Sequence, residues 1–178
     1  MGYSFGIYIN SRLGLRQFLF QINARCRLRI GCNLLGGACG YNISTVFATL
    51  ALGPERKEAQ VEISLTDGRS LGILPPVRLS GDVANSPGAV LAGPEGRVTL
   101  EKGVIAAQRH IHMKPETAEE MGVRDGQRVK LQAYTSRPVV FEDVAVRVSP
   151  EFASYVHLDY DEANSCGFRK GDLGRILP

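Results

Sequence analysis

Short runs with a period of two, each stopped by glycine or proline, dominate the chain after Ala51 and constrain its fold more than any other feature. Val61, Ile63 and Leu65 alternate with Gln60, Glu62 and Ser64; Val129, Leu131 and Ala133 alternate with polar neighbours between Arg128 and Tyr134. Successive side chains of a strand leave opposite faces, so each run predicts a strand with one apolar face. Residues 89–92 and 97–100 flank Gly93-Pro94-Glu95-Gly96, which is hairpin chemistry. Val139–Val148 supplies another strand, and the tail from Gly167 to Pro178, with its Gly171-Asp172 turn, a last short one. Leu74-Pro75-Pro76-Val77 suits an extended linker or a sheet edge, since proline cannot donate to a ladder. Thr66-Asp67-Gly68 turns the chain or opens a short helical turn, and Ser80–Pro87 is loop sequence. One helix is well marked, Pro115–Met121, with proline at its start, acids in its first half and Gly122 as its stop. Many short strands with one short helix predict a mainly β fold of small-barrel type rather than a βαβ sheet.

Composition adds a discontinuity. Residues 1–54 hold no Asp or Glu, but five arginines and three of the four cysteines. From Glu55 on, 16 Lys and Arg face 18 acids, as in an ordinary domain. Leu13–Ile30 mixes arginines with Leu, Phe and Ile and can form a basic amphipathic helix, while Gly36-Gly37 and Gly40 favour a loop. An acid-free, arginine-rich start reads as a transit peptide, a membrane-surface helix or non-native sequence such as a frame-shifted stretch. A net charge of +3 is too small to argue for nucleic acid. No apolar run reaches the roughly 18–20 residues of a membrane span. The cysteines lack CxxC spacing, which leaves reduced thiols as the default.

Chemistry concentrates at Gln108–Met113. His110 and His112, two of the three histidines, are two apart on a predicted strand and so share a face, with Arg109 and Ile111 on the other. Imidazole is a common zinc ligand, but two solvated histidines on a polar face satisfy the same pattern. His157 is followed by Asp159, Asp161 and Glu162, which are either orienting carboxylates or surface charge. Glu62 lies on the polar face of its strand, where exposure is the simpler reading. Arg56, Arg78 and Arg109 offer planar forks that match phosphate oxygens, or are solvated surface groups. The chain carries no P-loop, GxGxxG or GxSxG motif.

Four segments, in order, carry a specific resemblance: Leu-Gly-Pro-Glu-Arg-Lys-Glu-Ala-Gln-Val-Glu-Ile-Ser (52–64), Pro-Pro-Val-Arg-Leu-Ser-Gly-Asp (75–82), Gly-Val-Ile-Ala-Ala-Gln-Arg-His-Ile-His-Met (103–113) and His-Leu-Asp-Tyr-Asp-Glu-Ala-Asn (157–164). Over about residues 51–178 the chain resembles PduL-type phosphotransacylases, the phosphate propanoyltransferases. The resemblance implies two small β-barrel domains with short capping helices around a two-zinc site. It divides this chain into an atypical basic segment (1–50), the remainder of an incomplete first barrel with a linker (51–102) and a second barrel (103–178). Glu62, His110, His112 and His157 match zinc ligands and Arg56 the catalytic arginine, with Arg78 and Arg109 as substrate-binding candidates. The family carries a second His-x-His in its first barrel, which has no counterpart here because no histidine precedes His110.

The implied activity interconverts a short-chain acyl-CoA and phosphate with an acyl phosphate and CoA, in the bacterial cytoplasm or inside a bacterial microcompartment. The implied partners are CoA esters, phosphate, further copies of the chain and microcompartment shell or core proteins, with neither nucleic acid nor membrane. Two competing expectations are a catalytically impaired zinc-binding homologue acting as a binding module, and a zinc hydrolase.

Overall fold

The computed structural model describes residues 58–93 and 96–177 together with five N-terminal strands: β1 (Phe5–Tyr8), β2 (Phe18–Gln21), β3 (Asn33–Gly36), β4 (Ser44–Phe47) and β5 (Thr49–Ala51). Two units are distinguished, Met1–Asn10 with Gln108–Pro178, and Ser11–Ala107. No helix among the described residues is long and apolar enough to cross a membrane.

The Ser11–Ala107 unit contains β6 (Gln60–Glu62), helix α1 (Leu65–Leu71), β7 (Val77–Arg78), β8 (Ala89–Gly93), β9 (Gly96–Leu100) and β10 (Val104–Ala107). Its described strands form two open sheets, β5-β2-β6-β10-β7 and β4-β3-β8-β9, rather than a closed barrel. β7 takes the edge position that its two preceding prolines favour. The predicted hairpin forms, with Gly93 opposite Gly96. Of Leu13–Ile30, whose sequence can form an amphipathic helix, Phe18–Gln21 is a strand pairing with β6 and β5, and the rest lies outside the described residues. α1 starts where Ser64 Oγ accepts the Asp67 amide at 3.0 Å. Val61, Ile63, Leu71, Ile73, Leu91 and Val104 make this unit's core.

The apolar run before the histidines and the histidines themselves form two strands: Val104–Ala107 runs parallel to β6 and β7, while the histidines join another sheet. Ala107 is the last residue of the Ser11–Ala107 unit.

The second unit contains β11 (His110–Met113), α2 (Pro115–Glu120), β12 (Arg128–Tyr134), β13 (Val139–Val148), β14 (Tyr155–His157), α3 (Tyr160–Cys166) and β15 (Leu173–Leu177). With β1 they form a closed barrel in the order β1-β14-β11-β13-β12-β15, sealed by β15 pairing antiparallel with β1. Ile111, Met113, Leu131, Val144, Val146 and Val156 fill its interior. Strand β13 keeps its inward face through a bulge: Val129 pairs with Val144 and Leu131 with Phe141, while Asp143 takes φ 54°. Helix α2 stops as its sequence predicts, with Gly122 at φ 66°.

Candidate metal centre

Strand β11 lies between two neighbours whose registers build the site. β14 runs antiparallel to it with His157 opposite His110, and β13 runs parallel with Arg147 opposite His112. Paired residues project from the same face. Ile111, Val146 and Val156 are fully buried on the barrel side, so the three histidines leave by the outer side. The alternation expected for His110 and His112 is therefore formed, and β14 adds the third imidazole.

The rings converge. His110 and His157 stack with centroids 4.7 Å apart and planes 1° from parallel. His112 stands 4.7 Å from His110 and 4.3 Å from His157, tilted by 52° and 53°. One ring nitrogen from each lies within 4.8 Å of the others. Phe152 covers the other face of the group, stacked on His112 at 3.8 Å.

Protonation favours ligation. Burial lowers the pKa of His110, and Arg147 adds to this against a hydrogen bond to the Gln108 carbonyl. Burial, His110 and Arg147 bring His112 down to about 4. His157 falls to about 3 through burial, then His110, His112 and Arg147. All three are neutral near pH 7, the form in which a ring nitrogen offers a lone pair. His110 Nδ1 lies 2.8 Å from the Gln108 carbonyl, which only an N–H can satisfy, so Nε2 is its free donor atom. His112 Nε2 is buried without any hydrogen-bond partner. A buried nitrogen of this kind costs about 1–3 kcal/mol unless something occupies it.

Zinc fits this donor set: three nitrogens with a fourth position left open is the pattern of zinc sites that do chemistry. Nitrogens on one tetrahedral zinc are about 3.3 Å apart, from bonds of about 2.0–2.1 Å, so the cluster needs modest contraction. Other metals that take imidazole satisfy the same geometry.

The remaining expected site residues lie on other elements. Arg56 lies outside the described residues. Glu62 sits on β6 in the other unit, where its Oε1 accepts the Gln60 amide at 2.6 Å. The polar face of that strand was expected to be solvated, but Gln60 is 2% and Ser64 8% exposed. Gln60 also donates to Ser80 Oγ (2.9 Å) and accepts the Gly81 amide (2.7 Å), which ties Glu62 to the loop after Arg78. Arg78 is exposed, 3.6 Å from Asp82.

Arg109, expected to bind substrate, is committed elsewhere: its Nη1 pairs with Glu162 at 2.7 Å and its Nε donates to the Glu142 carbonyl at 2.7 Å. Glu162 is in turn half of a capping box. Its Oε2 accepts the Asp159 amide (3.1 Å) while Asp159 Oδ1 accepts the Glu162 amide (2.8 Å). Burial, then the neighbouring Glu162 and Asp161, push Asp159 up to about 6. The acids after His157 are thus the cap of α3, an element absent from the sequence reading. Its signal was Asp159 followed three residues later by Glu162, with Gly167 as the stop. Sequence reasoning also passed over Arg147 and Phe152, which no motif marks.

The family model for phosphate propanoyltransferase matches residues 41–169. A phosphate propanoyltransferase of Listeria monocytogenes is 51% identical over 134 residues, 75% of this chain and 63% of the relative. Those of Enterococcus faecalis and Thermotoga maritima are 53% and 52% identical, each covering 71% of this chain and 60% of the relative. The chain spans about three fifths of the length of these relatives. A match over most of the chain at half identity leaves one assignment: the chain belongs to the phosphate propanoyltransferase family.

Proposed function

We propose that this chain is a zinc-dependent phosphate acyltransferase, interconverting a short-chain acyl-CoA such as propanoyl-CoA and phosphate with the acyl phosphate and free CoA. One observation carries the reading: three neutral imidazoles converge on one sheet face, one with an orphaned nitrogen, in a chain of this family. The relatives' names supply the substrate class.

In this reading His110, His112 and His157 are the ligands, and the family resemblance alone adds Glu62 as a carboxylate ligand. Zinc held there supplies Lewis-acid charge for oxyanions and a polarised carbonyl. The protein's own groups do the rest. A phosphate oxygen forms the new C–O bond as the thioester C–S bond breaks, and the proton of hydrogen phosphate ends on the CoA thiol. Arg56 neutralises the charge on the transferring phosphate, and Arg78, exposed on its edge strand, offers a second guanidinium. Arg109 contributes by anchoring α3. Holding two substrates in one orientation accounts for a large part of such a rate.

Metal analysis of the purified chain, run with an assay of CoA release from propanoyl-CoA and phosphate, tests the reading. Bound zinc with acyl phosphate as product supports it; free acid as product would show hydrolysis instead. A second reading has one observation in its favour: all three histidines of the sequence are used by this cluster, so no second imidazole set exists in the chain. It is a zinc-binding homologue with impaired turnover, and its signature is stoichiometric zinc without CoA release. Residence in the bacterial cytoplasm, enclosure in a microcompartment and self-association rest on the resemblance alone.

A further inference from the structure

The parallel register of β13 against β11 sets Arg147 beside His112 and Ala145 beside His110. Arg147 therefore leaves the sheet on the histidine side, whereas Val146, between them, is fully buried in the barrel. The small Ala145 leaves room next to His110. The Arg147 guanidinium lies 5.8 Å from the centre of the Phe152 ring, and Phe152 stacks on His112 at 3.8 Å. Arg147 is half-buried. Among the described residues no carboxylate pairs with it; the ion pairs of this unit use Arg109, Arg128 and Lys130.

A half-buried guanidinium without a counter-ion, set beside imidazoles that bind cations, is costly as it stands. Burial raises the cost of the unpaired charge, and any cation on the imidazoles raises it further. A carboxylate would relieve this, but none of the described residues supplies one. An oxyanion relieves both charges at once, and a planar fork with five donors matches phosphate in particular. Arg109, one strand away, shows the contrast: its Nη1 pairs with the Glu162 carboxylate and its Nε donates to the Glu142 carbonyl.

We infer that Arg147 is the oxyanion-binding residue beside the histidine triad, taking a phosphate oxygen of the substrate. The inference rests on the reading of the triad as a metal site that receives phosphate. Two sources present the same oxyanion, inorganic phosphate and the phosphates of CoA, and the proximity to the triad favours the former.

The test titrates inorganic phosphate and, separately, CoA into the zinc-loaded full chain by calorimetry, comparing the parent with Arg147→Met and Arg147→Lys. Arg147→Met keeps an unbranched stem over Phe152 and removes the charge. It is expected to retain zinc and to weaken phosphate binding about ten- to a hundred-fold, with CoA binding unchanged. Arg147→Lys keeps the charge without the fork and recovers part of the loss. If Arg147→Met does not fold, Arg147→Lys alone decides, through at least a severalfold loss of phosphate affinity at full zinc content. Phosphate binding within about twofold of the parent overturns the inference, as does a loss confined to CoA, a fall in zinc content that tracks the fall in phosphate binding, or a parent chain that binds no phosphate. Phosphate bound through Arg147 without acyl transfer leaves the inference standing and removes only the proposed activity.

Discussion

Replacing His112 with phenylalanine separates what the triad does for folding from what it does for metal. His112 Nε2 is buried with no partner, a state that costs about 1–3 kcal/mol. The ring itself is well packed, 3.8 Å from Phe152 and 9° from parallel with it, and such a pair is worth about 0.5–1.5 kcal/mol beyond its buried area. Phenylalanine keeps the ring and the stack while deleting the orphan. In chelator, His112→Phe should therefore unfold at the parent's temperature or above it, by roughly 2–4 °C for each kcal/mol regained. Added zinc reverses the order. A ligand that binds the native state alone at a thousand times its Kd stabilises by about 4 kcal/mol, and the variant, left with two imidazoles, forfeits most of that. Thermal unfolding of both chains in chelator and in excess zinc, with zinc stoichiometry measured after desalting, gives four midpoints that should cross. A variant equally destabilised in both conditions would refute the reasoning, because His112 would then be an ordinary packing residue.

His110→Ala should lower zinc content and acyl transfer together, since the Gln108 carbonyl fixes the orientation of this ligand; unchanged zinc on elemental analysis would remove it from the ligand set. The zinc-free chain should lose stability as pH falls from about 6.5 toward 4 and then 3. In that window the unfolded chain takes up protons that the buried histidines refuse, so stability is present above the unfolded pKa and lost below it. Asp159, raised to about 6, acts with the opposite sign but is one group against three; urea midpoints measured across the window give the net slope. Arg109→Ala should cost about 2–3 kcal/mol in urea, because Glu162, 16% exposed, loses a charged partner. Lys130→Ala should stay within about 0.5 kcal/mol, since that pair with Glu142 is exposed on both sides. Cys166, fully buried and with its thiol pushed up by that burial, should remain unlabelled by a thiol reagent in the folded chain; rapid native labelling of its peptide on mass mapping would show that α3 does not seal it.

How much of this was legible in the sequence depends on whether a feature is local. Strands β12 and β13 match their predicted spans because period-two burial is written residue by residue: Val129, Leu131 and Ala133 face the core. The β8–β9 hairpin and the ends of α2 were legible for the same reason, through turn and capping chemistry. Register was not. Nothing near His157 states that it stands opposite His110, or that Arg147 stands beside His112, because those pairings join residues 47 and 35 positions apart in sequence and depend on their strands selecting a common core face. The burial of Gln60 escaped for a related reason. Alternation says that a side chain faces away from one core, not whether Ser80 and Gly81 will be waiting on the other side. Family resemblance supplied Glu62 and His157 as ligands where residue-level reading left them open, and it said nothing of Arg147.

The same register explains why the site is expensive in the absence of its ligands. Three imidazoles share one face and stay uncharged there, one nitrogen goes unpaired, and a guanidinium beside them has no carboxylate partner among the described residues. Each breaks a rule that the rest of the barrel keeps, where buried positions are filled by Ile, Leu, Val and Met. Randomly distributed, such defects would be scattered errors. Concentrated on adjacent positions of β11, β13 and β14, they are complementary to one kind of occupant, a cation for the nitrogens and an oxyanion for the guanidinium. The barrel core, sealed by Ile111, Val146 and Val156 directly beneath, provides the rigidity that keeps these groups from relaxing into one another. On the proposed reading, stability lost at this face is recovered by binding, and substitutions which stabilise the zinc-free chain here should weaken its hold on metal or phosphate.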